Sequence, residues 1–209
     1  MMDLTQPQWV KHVVFHPFEG FEDLRWKKGG TLKYTVIIII ALFFALIAYD
    51  RWCGFQFRPL PDAMFSVVPY IMRSVVYFLA WVLGNWAICT LLDGEGTMKN
   101  ICIYSSYALI PYIVSTYVNV FLTHILVRDE QVFFSTVYYI GLIWSGLLLF
   151  NAIKAVHQYT FTKTVAAIIL TLIAMLIILF LAVLFLSLFQ KVYVFFYSLY
   201  TEILYRVRV

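Results

Sequence analysis

Five apolar stretches take up most of the chain, and together they leave few architectures open. They cover residues 34–49, 71–92, 101–126, 132–153 and 165–189. A helix needs about 20 mostly apolar residues to cross the hydrocarbon core. The last four stretches meet that length. The first is shorter, but Thr31 and Leu32 extend it and Lys33 can reach back to the headgroups along its own aliphatic stem. Lipid offers no partner for backbone polar groups, so spans of this length must be helices. A membrane β-barrel would instead show short segments of alternating polarity. The sequence therefore predicts an all-α, polytopic integral membrane protein with five transmembrane helices and amphipathic interfacial helices at both ends. Residues 1–30 read as an interfacial segment, 31–190 as the five-helix domain and 191–209 as an aromatic amphipathic segment.

Composition removes the soluble alternative. Of the 209 residues, 63% are hydrophobic and 12% are charged. A soluble domain carries about 25% charged residues, and here too few remain to build a polar shell. The net charge of +4 is spread along the chain, which argues against a nucleic-acid partner and leaves the lipid bilayer as the first one. The only basic cluster, Arg25, Lys27, Lys28 and Lys33, abuts the first span, where anionic headgroups attract cations. Basic residues in short loops favour the cytoplasmic side. Lys11, Arg25, Lys27, Lys28 and Lys33 precede the first span, and Arg51 and Arg58 follow it. This predicts a cytoplasmic N-terminus and, after five crossings, an extracytoplasmic C-terminus. Cys53, Cys89 and Cys102 follow no framework spacing and read as free thiols, which leaves the redox state of Cys53 open.

The flanks carry aromatic residues suited to an interface. Trp9/Val13 and Val10/Val14 are i,i+4 pairs of a helix that can lie flat, and Pro17 opens a second short helix carrying Phe18, Phe21 and Leu24 inward. Trp9, Phe18, Trp26, Tyr197 and Tyr200 are the expected interfacial anchors. After the fifth span the aromatic segment reads as an interfacial or a continued helix.

Polar residues within spans are the candidate functional positions. Asn85, Ser115, Thr116 and Asn119, beside a kink at Pro111, outline a candidate polar groove between the second and third spans. Ala41/Ala45 and Gly141/Ser145 are small residues four apart, a spacing that allows close helix contact within the bundle or with a partner. No acidic residue sits in mid-span, which removes the usual proton or cation relay. His12, His16 and Glu19 would make a metal site only on a continuous helix, and Pro17 interrupts it. No paired carboxylates, Cys cluster, phosphate loop or Ser/His arrangement is present, so neither catalytic residues nor a cofactor are expected.

The order of several weak motifs resembles the Yip domain family, five-span proteins named for interaction with Ypt/Rab GTPases. The motifs are His16-Pro17-Phe18 with a downstream Trp26, and the glycine-rich turn Asp93-Gly94-Glu95-Gly96-Thr97. Tyr107-Ala108-Leu109-Ile110-Pro111-Tyr112 in the third span follows, and a short turn leads into a very apolar fifth span. The resemblance implies a cytosolic N-terminus, in agreement with the charges. Eukaryotic members carry a longer hydrophilic N-terminal region, whereas about thirty residues precede the first span here, so a Rab GTPase is not the expected partner. The chain looks more like the bacterial branch, which places it in a bacterial cytoplasmic membrane. Relatives of that branch often accompany carbohydrate ABC-transporter components, which implies a permease as partner. The expected function is a non-enzymatic scaffold or accessory subunit that binds another membrane protein laterally through the small-residue faces and the aromatic tail. The alternative is autonomous lipid handling or solute transport through the polar groove.

Overall fold

The computed structural model describes residues 5–27, 29–58 and 65–208. Two short helices come first, α1 (Gln6–Phe15) and α2 (Glu19–Trp26), followed by α3 (Leu32–Arg51). A single turn, α4 (Val68–Ile71), passes through a π-helical turn, Met72–Val76, into α5 (Tyr77–Leu91). The third span is divided into α6 (Met98–Ala108) and α7 (Ile110–Leu122). A 3-10 turn at Arg128–Glu130 leads into α8 (Gln131–His157), and α9 (Phe161–Arg208) ends the chain. Five of these units are long and apolar enough to cross a membrane: Leu32–Arg51, Val68–Leu91, Met98–Leu122, Arg128–His157 and Phe161–Arg206. Each expected span thus falls on a helix; every helix begins a few residues ahead of its apolar stretch, while that of the third span ends at Leu122, short of the expected limit at residue 126.

The third span is the axis of the bundle: 56% of its most apolar window is buried, against 28% for α3 and 6% for α9. It packs against α3, α5 and α8. From α3 it takes the stripe Thr35, Ile38, Leu42, Ala45 and Ala48, spaced three or four residues apart, while Val36, Ile37, Ile40 and Phe44 face outward. Gly84 lets α9 approach α5, since a Cβ there would lie 3.3 Å from the Met175 amide and the Thr171 carbonyl.

The division within the third span follows from Pro111. Proline offers no N–H and its ring collides with the carbonyl four residues back. The chain tightens there, with the Leu109 N–H on the Ser106 carbonyl at 3.1 Å, and resumes with the Ile113 N–H on the Leu109 carbonyl at 3.0 Å. The Tyr112 N–H leaves its own helix and donates to Ser145 Oγ of α8 at 2.9 Å.

One feature departs from the sequence reading and a second decides between two forms that it left open. The expected flat helix of Trp9 and Val13 is formed, but its apolar face is covered by protein: Trp9, Val13, Phe21 and Leu24 are buried in the main core. Gly20 makes this possible by lying against the backbone of Val13. The aromatic segment 191–208 takes the second of its two expected forms, since α9 continues unbroken through it. Those 48 residues extend about 72 Å. From Phe180 to Arg206 every residue except Thr201 is exposed.

Candidate functional site

The densest polar cluster lies where α2, the turn after α5, the end of α8 and the start of α9 meet. Asp93 adopts a left-handed conformation (φ 55°) to end α5, and the Gly94 N–H closes on the Cys89 carbonyl at 2.7 Å. Thr97 then caps α6 by accepting from the Asn100 N–H at 3.3 Å. Gly94 and Gly96 are small because His157 and Tyr159 stand against them. A Cβ on Gly94 would come within 2.5 Å of His157 Nδ1 and of the Tyr159 hydroxyl.

Arg25 fastens α2 to this turn. One guanidinium nitrogen donates to the Ala155 and Val156 carbonyls at 2.8 and 3.1 Å, and the other pairs with Glu95. The carbonyls are those of the last turn of α8, where the helix dipole favours a cation. Glu95 remains largely exposed, so the pair borders water on one side.

His157 organises the buried side. The Gly96 N–H donates to its Nδ1 at 3.3 Å, and its Nε2–H donates to Asn85 Oδ1 at 3.1 Å. The Asn85 amide in turn donates to Thr171 Oγ1 at 3.2 Å. Both ring nitrogens are engaged in opposite roles, which specifies the neutral Nε2–H tautomer. Tyr159 stacks on the imidazole with ring centres 5.2 Å apart, donates to the Cys89 carbonyl at 3.1 Å and lies under the Lys163 ammonium. Burial pushes the Tyr159 phenol above its usual range. These contacts join four elements in a closed donor–acceptor chain. The arrangement clamps those elements together.

A second cluster belongs to the seam between α7 and α8. Gly141 faces Ser115 so closely that any Cβ would overlap the serine side chain. Asn119 bridges the α8 backbone, donating to the Phe134 carbonyl at 3.2 Å and accepting from the Tyr138 N–H at 3.3 Å. Ser115 and Thr116 hydroxyls donate to the Tyr112 carbonyl at 2.9 and 2.8 Å.

The expected site residues are therefore redistributed. Pro111, Ser115, Thr116 and Asn119 join Gly141 and Ser145 in one internal seam. Asn85 is separate from them, directed at α9 and His157, because the second span packs chiefly on the fifth. Among the described residues these groups do not gather between the second and third spans. Ala45 is fully buried, and the carbonyl of half-buried Ala41 accepts from the Tyr117 hydroxyl at 3.3 Å. Both small-residue pairs thus lie against neighbouring helices of the bundle. Of the expected anchors, Phe18, Trp26, Tyr197 and Tyr200 are exposed, and Trp9 is inside under the Lys27 ammonium. The sequence reading takes Arg25 only as a charge beside the first span and assigns no role to His157 or Tyr159. Their signal is weak: a histidine and a tyrosine in the short turn before the last span.

The opposite end is closed by residues after α3. The Gly54 N–H donates to Thr123 Oγ1 at 3.0 Å, and Phe57 stacks on Phe134. Cys53 is buried here, and that burial pushes its thiol up. Arg73, on the π turn, lies 3.8 Å from Asp50. Residues 59–64 of the connection that follows α3 lie outside the described residues.

No curated protein and no solved structure matches the chain. The sequence model of the Yip1 domain matches residues 11–197, all but the first ten and last twelve positions. With a five-helix bundle in place around its central broken helix, the chain belongs to the Yip1 domain family.

Proposed function

We propose that the chain is a non-enzymatic membrane scaffold or accessory subunit, which binds another integral membrane protein along α9. The observation that carries this reading is the length and exposure of that helix. One crossing uses about 30 Å of hydrocarbon, and α9 is about 72 Å long. Its contacts with the bundle are confined to its first half, through Thr164, Ala167 and Thr171. Lipid covers the part within the bilayer. Beyond Gln190 the helix is apolar over most of its circumference, with Val192, Val194, Phe196, Leu199, Tyr200 and Ile203 exposed and Lys191, Ser198 and Glu202 confined to one narrow stripe. A surface of that kind outside the hydrocarbon is matched by protein. The small-residue seams are buried, which leaves α9 as the surface for association. The partner class placed first is a permease, such as that of a carbohydrate ABC transporter.

The setting that accompanies this reading is a bacterial cytoplasmic membrane with the N-terminus inside. The basic residues before α3 support it. Affinity purification from native membranes in mild detergent tests the proposal, with full-length chain compared with a chain ending at Phe189. A stoichiometric integral partner should accompany the first and be lost from the second, while both elute as folded bundles. A reporter fused to each C-terminus should read extracytoplasmic. A full-length chain that emerges alone, or a truncated one that keeps its partner, overturns the reading.

A further inference from the structure

Beside α1 lies an open cavity of about 560 Å³, walled by α1, α7 and α8, with Val114 and Ile140 of its lining more than half exposed. A volume of that order is typical of sites for small ligands. Val10, Ile110, Val114, Val137 and Ile140 supply apolar lining. The polar groups on its wall are already used: Trp144 Nε1 donates to the Val14 carbonyl at 3.1 Å, and the Ser115 hydroxyl to the Tyr112 carbonyl at 2.9 Å. A polar solute finds no free partner inside, and water would gain nothing there.

The cavity has a direction. α1 crosses it at the level of Pro111 and Trp144, and the lining continues to Val114 and Val137, away from the face that carries Arg25 and His157. That axis runs along the helices, as an acyl chain does in a leaflet.

Charge selects the headgroup. Lys11 lies at the rim, exposed and without an ion pair among the described residues. It also borders an adjoining recess of about 380 Å³ with Gln8, His12 and His16. Cations of this kind at an interface attract anionic lipids. We infer that the cavity holds one acyl chain of an anionic glycerophospholipid from the leaflet on the N-terminal side, with the Lys11 ammonium against its phosphate. This inference does not depend on the scaffold reading.

The test uses the full chain in nanodiscs and in delipidated detergent solution. Native mass spectrometry would compare palmitoyl-oleoyl phosphatidylglycerol with the phosphatidylcholine of the same chains. One phosphatidylglycerol per protomer should be retained in preference, and Lys11→Gln should reduce the preference roughly fivefold. Val114→Trp, which fills the cavity, should abolish retention of both lipids. Equal retention of the two lipids by the wild type, or an unchanged preference in Lys11→Gln, overturns the headgroup assignment. Retention by a folded Val114→Trp chain overturns the cavity assignment. Should Val114→Trp not fold, a phosphatidylglycerol with a diazirine in its chain decides on the wild type. Adducts on residues 110–115 and 137–144 are expected, and adducts confined to other helices overturn the site.

Discussion

His157 is the residue on which the clamp turns. It is 2% exposed and holds the Asn85 amide with one nitrogen and the Gly96 backbone with the other. Phenylalanine would fill the ring's space and leave both partners unpaired. A buried group left unpaired costs about 1–3 kcal/mol. His157→Phe should therefore lower the thermal midpoint of the detergent-solubilised bundle, by roughly 2–4 °C per kcal/mol. The double variant with Asn85→Leu should recover part of the loss, since it removes one orphan; this is checked by thermal size-exclusion profiles. Asp23 offers a second test. Burial alone would raise its pKa, but hydrogen bonds and charge from Lys27 and His12, at 3.2 and 3.1 Å, outweigh burial and hold it below 3.8. A carboxyl lowered on folding stabilises the docked form above its unfolded value, and that contribution is lost as pH falls through the folded value. Exchange protection of α1 and α2 should hold at neutral pH and fall below about pH 3.8. Asp23→Asn should lack that step.

Among the elements, the α7/α8 seam and the outer face of α8 make opposite predictions for two glycines five residues apart. Gly141 has no room for a side chain against Ser115, whereas nothing lies within 4 Å of a Cβ on Gly146. Gly141→Leu should destabilise the bundle by about 1–3 kcal/mol or more through forced separation of the helices. Gly146→Ala should be neutral or stabilising by up to about 1 kcal/mol, because alanine holds a helix better than glycine. Thermal midpoints of the two variants check both signs. Spans were legible because hydropathy and length are properties of a segment alone. The fate of the N-terminal stripe was not: an i,i+4 pair such as Trp9/Val13 shows that one face is apolar, but not whether lipid or protein covers it. The same limit applies to small residues. Gly141 and Ser145 mark a close approach without naming the helix that approaches. Arg25 reads from sequence as a cytoplasmic charge, and only the fold brings it to the end of α8.

For the whole molecule, the bundle divides into a packed part and a projecting part. Helices α3 and α8 gather round the broken third span of α6 and α7, α5 bridges to α9, and α9 runs on beyond its neighbours. Clamp and projection lie at opposite ends, so loss of segment 190–209 should leave the Arg25–His157 end and its thermal midpoint unchanged. The clamp also joins parts of the chain that are made far apart. Arg25 is 130 residues upstream of the Ala155 carbonyl it binds, and Val14 is 130 upstream of Trp144. At about 5–20 residues per second, the ribosome finishes α8 roughly 6 to 26 seconds after α1 and α2 are made. During that interval the first two helices have no bundle to settle on. Their buried faces must be held meanwhile by the membrane surface or by the insertion machinery, so α1 and α2 are made well before the helix end on which they settle.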